Sequence, residues 1–260
     1  MNKVIAFYGA ERGVGVSMLA QSAAELIAEE KKDLRVLLVN LQGRFGNSYT
    51  GYQGVCIEEL REYLDAGVLD HGEVLAAGKY TQNFYIIGGL QTIGEERYYK
   101  PKMAAYLLSE LSTEFDLILA DAGGDPDSGL TLGAVESADK VIFVISQREA
   151  ALRRAEKLQN LHKQLQLDFA FTLCSRYDDG DPYTSSYLCR RLELPRESLL
   201  CVADLGERAG RLAEAEGKTL LSYGDPQYAA DILNLSNRVL MIAGYEPIVQ
   251  KRKKRWKNFI

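Results

Sequence analysis

Gly9-Ala10-Glu11-Arg12-Gly13-Val14-Gly15-Val16-Ser17 stands between two stretches of different character. Before it runs KVIAFYG (3–9), short, apolar and closed by Gly9. After it, Val16–Glu30 carries Leu19, Ala23, Leu26 and Ile27 at helical spacing. Strand, glycine-rich turn and helix form the context of a phosphate loop. Glycines let successive backbone N–H groups turn toward one anion, and the helix N-terminus adds partial positive charge. Against the general pattern G-x-x-x-x-G-K-[ST], Ala10 replaces the first glycine, Gly15 and Ser17 are retained, and Val16 replaces the lysine. The backbone half of the motif is therefore present and its cation is not. The candidate nucleotide-binding residues here are Ala10, Glu11, Arg12, Gly13, Val14, Gly15, Val16, Ser17 and Met18.

Outward from this loop, strands alternate with helices. RVLLVN (35–40), NFYIIGG (83–89), FDLILAD (115–121), KVIFVIS (140–146), FAFTLCS (169–175) and LLCVAD (199–204) read as further strands. The predicted helices are IEELREYLDAG (57–67), Lys102–Thr113 opened by Pro101, Glu149–Leu165, Leu205–Glu216 and Pro226–Ala243. A glycine-rich loop with Gly43, Gly46, Gly51 and Gly54 follows the second strand, and Asp178–Pro182 is a loop. The strands are continuous apolar runs, as expected when both faces of a parallel sheet are covered. The fold class is thus α/β, a doubly wound, mostly parallel sheet flanked by helices, of the P-loop NTPase type.

Ligands of such sheets bind at the carboxyl ends of the strands. FDLILADAGGD (115–125) has the form apolar strand–Asp–x–x–Gly. Asp121 stands where a carboxylate would accept a bond from a magnesium-bound water, and Gly124 where an amide would face a γ-phosphate. Ser17 and Asp121 are the candidate metal residues, and Asn40, Asp121 and Gly124 complete the candidate nucleotide site.

Over residues 3–243 the order of segments resembles the ParA/MinD group of deviant Walker A ATPases, with the pilus-assembly TadZ proteins nearest. That group's loop reads K-G-G-x-G-K-[ST], where this chain has Glu11-Arg12-Gly13-Val14-Gly15-Val16-Ser17. Its second strand ends in D-x-D, where VLLVNLQGRFGN (36–47) puts Asn40 and Gln42. AVESADKVIFVIS (134–146) is similar to its acidic helix end before an apolar strand. Ala213-Glu214-Ala215-Glu216-Gly217-Lys218-Thr219-Leu220-Leu221 is close to its late A-E-x-E-G-K-x-L-L run. The resemblance implies ATP or ADP, with magnesium, as cofactor. It implies a homodimer that recruits protein partners of a positioning or assembly system, at a pilus or secretion apparatus or a membrane site.

The departures weigh against catalysis. Both lysines are gone, as Glu11 and Val16, and Asn40 and Gln42 can neither act as a base nor hold magnesium strongly. Phosphoryl transfer depends on placed cations and an oriented water. Their joint loss points to lost hydrolysis and to a site that is regulatory, vestigial or empty; Arg12 is either a substitute cation or a solvated loop arginine. An active ATPase with rearranged residues is the first alternative, and a DNA-partitioning factor the second.

Composition agrees with one soluble, cytoplasmic domain. The chain has 260 residues, 47% of them hydrophobic and 26% charged. The expected division is a P-loop domain over 1–250 and a basic tail over 251–260. Cys56, Cys174, Cys189 and Cys201 form no C-x-x-C pair, and with only His71 and His162 available zinc is not expected. The scattered cysteines suit buried positions in a reducing compartment. Neither a signal peptide nor a run of roughly 20 apolar residues is read. Net charge is −5, and the six cations Lys251, Arg252, Lys253, Lys254, Arg255 and Lys257 leave the rest at −11. That tail reads either as a solvated terminus or, with Trp256, Phe259 and Ile260, as a peripheral contact with an anionic membrane's inner face. Arg148, Arg153, Arg154, Lys157 and Lys163 are interleaved with acidic residues, so they read as a solvated helix face rather than a DNA surface.

Overall fold

The computed structural model describes residues 3–45 and 54–249. Gly46, Gly51 and the basic run Lys251–Lys257 lie outside the described residues. Seven strands, β1 (Val4–Gly9), β2 (Val36–Asn40), β3 (Phe84–Ile87), β4 (Leu117–Asp121), β5 (Lys140–Ile145), β6 (Phe169–Tyr177) and β7 (Leu199–Ala203), form one sheet of order β3-β2-β4-β1-β5-β6-β7. Every pairing is parallel.

Side-chain alternation explains why these strands read as unbroken apolar runs. Val4, Ala6 and Tyr8 of β1 enter one core layer, while Ile5 and Phe7 enter the other. The first layer is covered by α2 (Arg61–Ala66), α4 (Pro101–Leu111), α5 (Gly129–Ser137) and α6 (Glu149–Gln164). The second is covered by α1 (Val16–Glu30) and by the helix Pro226–Ala243. Ala20, Ala23, Ala24 and Ala28 are buried on α1, whose small side chains let it approach the sheet closely. With both faces covered, each strand residue finds an apolar partner whichever way it points.

Capping side chains open several of the helices. α3 (His71–Gly78) and α7 (Ser185–Arg191) open with Asp70 and Thr184, whose side chains accept from the N–H groups of Glu73 and Tyr187. α8 is Gly206–Glu216, and α9, the Pro226–Ala243 helix, opens with Asp225 accepting from Tyr228 N–H. The reading of 57–67 as a single helix is corrected. Residues 57–60 form turns, with Glu59 N–H bonded to the Cys56 carbonyl, and the helix starts at Arg61. None of the described helices is long and apolar enough to cross a membrane.

Polar anchors fix the amino ends of the strands. Asp139 accepts from the backbone N–H groups of Lys3 and Val4 at 2.8 and 2.9 Å, and Asp116 accepts from Arg35 N–H at 2.8 Å. The buried Asn83 amide donates to the carbonyls of Ala28, Lys31 and Leu34, tying the end of α1 to the start of β3. Beyond α9 the chain turns back over this same end. Tyr245 OH donates to the Asp116 carbonyl at 3.1 Å, Lys31 Nζ to the Pro247 carbonyl at 3.2 Å, and Ile248 N–H to Asn237 Oδ1 at 2.6 Å.

All four cysteines are free thiols, with Cys56, Cys174 and Cys189 buried. His162 is buried on α6 among the rings of Tyr8, Phe143 and Phe169. Its Nε2 has no hydrogen-bond partner, and burial pushes the imidazole down to about 4. Below pH 6.5 the unfolded chain takes up a proton that the folded chain refuses until about pH 4. Stability therefore falls as pH drops through that window. Thermal unfolding at stepped pH should show the loss, and His162→Leu should flatten it; an unchanged slope in the variant would assign it to other groups.

Candidate functional site

The loop after β1 lies at the centre of the sheet because β1 has β4 on one side and β5 on the other. Gly9 N–H donates to the Gly123 carbonyl at 2.6 Å, and Ala10 N–H to the Val144 carbonyl at 2.8 Å. The loop is thus fastened to the ends of both neighbours. Ala10, Val14 and Val16 are buried, so they can offer a ligand only their backbone. Gly13 (φ 77°) and Gly15 (φ 93°) adopt the left-handed conformation that glycine tolerates best. Gly15 precedes α1 without a side-chain cap, which leaves the first turn's N–H groups facing the loop. Ser175, which the sequence did not flag, donates from its hydroxyl to the carbonyls of Val14 and Ile145 and hangs the loop from β6.

The β4 end meets this loop at van der Waals contact. A Cβ on Gly124 would fall 2.3 Å from the Glu11 carbonyl oxygen, so only glycine fits. The register sets Asp121 level with both Phe7 of β1 and Asn40 of β2. Asp121 is fully buried, and one of its carboxylate oxygens accepts from Gly123 N–H at 3.1 Å. Asn40 is buried as well, and its Oδ1 accepts from Gln42 N–H at 3.2 Å.

Gln42 completes the arrangement. Its Nε2 donates to Asp121 Oδ2 at 2.6 Å and also to Ser17 Oγ. The two oxygens expected to share a magnesium ion therefore converge on an amide nitrogen. Magnesium requires a near-octahedral set of oxygens at about 2.0–2.1 Å. As arranged, Ser17, Asp121 and Gln42 do not fit it.

The loop side chains divide similarly. Glu11, at the signature-lysine position, is largely buried, and its Oε1 lies 3.5 Å from an Arg148 guanidinium nitrogen without an aligned hydrogen bond. Neighbouring Glu149 is engaged by Arg191, Arg153 and Tyr183, which hold its carboxyl down to about 2. Arg12 is exposed. The sulfur of Met18 accepts from Leu220 N–H at 3.4 Å. The structure thus brings Glu11, Gly15, Ser17, Asp121 and Gly124 together and adds Gln42, Arg148 and Ser175. The loop backbone can hold an anion, and Arg12 is the cation of its own sequence.

No protein-family model and no curated sequence matches the chain. Solved structures do match. A ParA family ATPase from Chlorobium tepidum is 20% identical, with 90% of this chain and 97% of that one covered, at a TM-score of 0.78. The cell division ATPase MinD of Pyrococcus furiosus is 18% identical, with 93% and 100% covered, at 0.74. The septum site-determining protein MinD of Pyrococcus horikoshii, solved with Mg-ADP, is 18% identical, with 94% and 98% covered, also at 0.74. The chain has the fold of the ParA and MinD ATPases.

The two loop glycines should respond differently to alanine. Gly13→Ala meets open space and only the backbone strain of positive φ, a cost of about 1 kcal/mol. Gly124→Ala must displace the Glu11 carbonyl and should cost several-fold more. Denaturant unfolding of both variants measures this, and equal costs would show that the loop yields freely.

Proposed function

We propose that this chain is a ParA/MinD-like P-loop protein acting as a positioning or assembly factor, one that binds nucleotide through its backbone and does not hydrolyse it. One observation carries the reading. Gly13, Gly15 and the α1 N-terminus are retained, while the residues at both lysine positions and at both acidic positions of the second strand are replaced and re-engaged. Val16 is packed in the core, Glu11 is paired with Arg148, and Asn40 and Gln42 bond within the protein. Such a site can sense a ligand without transferring a phosphoryl group.

The fold supports the kind of role. Similar folds occur in a MinC:MinD cell division protein complex of Aquifex aeolicus and in the ATP complex of a Cyanothece McdA variant. A homodimer recruiting protein partners is the working form we assign, with the pilus-assembly TadZ branch as the specific setting. Peripheral membrane contact would come from Lys251, Arg252, Lys253, Lys254, Arg255 and Trp256.

Calorimetric titration should show binding of ATP or ADP, with ATP turnover no faster than in buffer. Arg12→Ala should weaken binding about tenfold if Arg12 supplies the missing charge. Saturable turnover abolished by Asp121→Ala would instead establish an active ATPase. Sedimentation with anionic liposomes should retain the full chain more strongly than one truncated after Val249. Equal retention would remove the membrane role.

A further inference from the structure

We infer that Gln42 has taken the metal's place: its side-chain amide is a permanent, uncharged counterpart to Ser17 and Asp121, and the phosphate ligand this site accepts is a nucleotide free of divalent cation. The inference rests on the nucleotide reading for its ligand alone. The replacement of the metal is a property of the protein by itself.

The orientation of the amide follows from its partners. A carboxylate accepts hydrogen bonds and cannot donate them, so the end of Gln42 that faces Asp121 must be the NH₂ group. That group carries two N–H bonds and has two acceptors, Ser17 Oγ and Asp121 Oδ2. Asp121 Oδ1 is taken by Gly123 N–H. Both carboxylate oxygens are therefore occupied by protein donors, and a cation entering here would have to displace one of them. An amide nitrogen has no lone pair to offer a metal in exchange.

Gln42 is held from several sides. Its own N–H donates to Asn40 Oδ1, and its carbonyl accepts from Thr131 Oγ1 at 3.1 Å. Gly123 (φ 62°) makes room for the side chain, since a Cβ there would lie 2.8 Å from Gln42 Cγ. On the other side a Cβ on Gly43 would fall 1.9 Å from Ser128 Oγ, so the chain after β2 is pressed against the segment leading into α5. The glutamine is thus fixed by residues of β2, β4 and α5 rather than lying loosely in an open position. The charge balance follows. An amide satisfies the two oxygens but contributes no positive charge, so the loop backbone and Arg12 must compensate the ligand unaided.

The first test uses the full chain without nucleotide. In isotope-labelled protein the Gln42 side-chain amide signal, assigned by its loss in Gln42→Ala, should exchange slowly with water and stay unmoved in millimolar magnesium. A shift or loss of protection on adding magnesium overturns the inference. Gln42→Glu places a second carboxylate against Asp121 and should make thermal stability magnesium-dependent, rising with the ion and falling with EDTA, whereas the natural chain responds to neither. A magnesium-dependent natural chain, or an indifferent Gln42→Glu, counts against it. Should Gln42→Glu fail to fold, the amide signal decides alone. With ATP or ADP, binding should be no weaker in EDTA than in magnesium, and a gain of about tenfold with magnesium overturns the inference. If no nucleotide binds under either condition, the nucleotide reading falls while the amide signal still decides the role of Gln42.

Discussion

β1 is buried on both faces, and most of the architecture follows from that constraint. A strand whose every side chain must leave water needs an apolar layer above and below it. Its neighbours, β4 and β5, must be covered in turn, and the helices between successive strands supply the cover. Because the chain leaves β1 toward β2 on one side and returns to β5 on the other, the end of β1 lies where the winding reverses. Such reversals leave a crevice at the carboxyl edge of a parallel sheet. The glycine loop lies there because the burial of VIAFYG allows it no other place.

At that crevice, backbone and side chains are arranged differently. The turn geometry, the uncapped start of α1 and the close approach of Gly124 are properties of the main chain, and they persist. The side chains around it make contacts inside the protein. An acidic residue faces Arg148, a valine is in the core, and an amide joins Ser17 to Asp121. Val16 and Gln42 are uncharged, and Gln42 pairs the oxygens of Ser17 and Asp121.

The strands were legible in the sequence because two-sided burial writes itself as apolar runs. All seven appear within about two residues of their observed limits, an ordinary uncertainty for element ends. α3 and α7 were missed since neither has the length to show a helical period, and their starts rest on single capping side chains, Asp70 and Thr184. α5 was visible only at its acidic end, Ala134-Val135-Glu136-Ser137. The candidate loop residues were legible as a motif, but their partners were not. Gln42 stands 25 residues from Ser17 and 79 from Asp121, and no local pattern announces that bond. The same holds for Ser175, whose hydroxyl secures a loop 161 residues earlier. Such contacts become readable only when the sheet order is known.

The return of the chain beyond α9 also has a practical consequence. Tyr245, Pro247 and Ile248 are bound at the amino edge of the sheet, against Asp116, Lys31 and Asn237, while the glycine loop opens at the carboxyl edge. Val249 is exposed there. The full height of the sheet therefore separates it from the crevice. A fluorophore or surface tether attached at Val249 would hold the molecule with its crevice turned outward, accessible to whatever is presented to it.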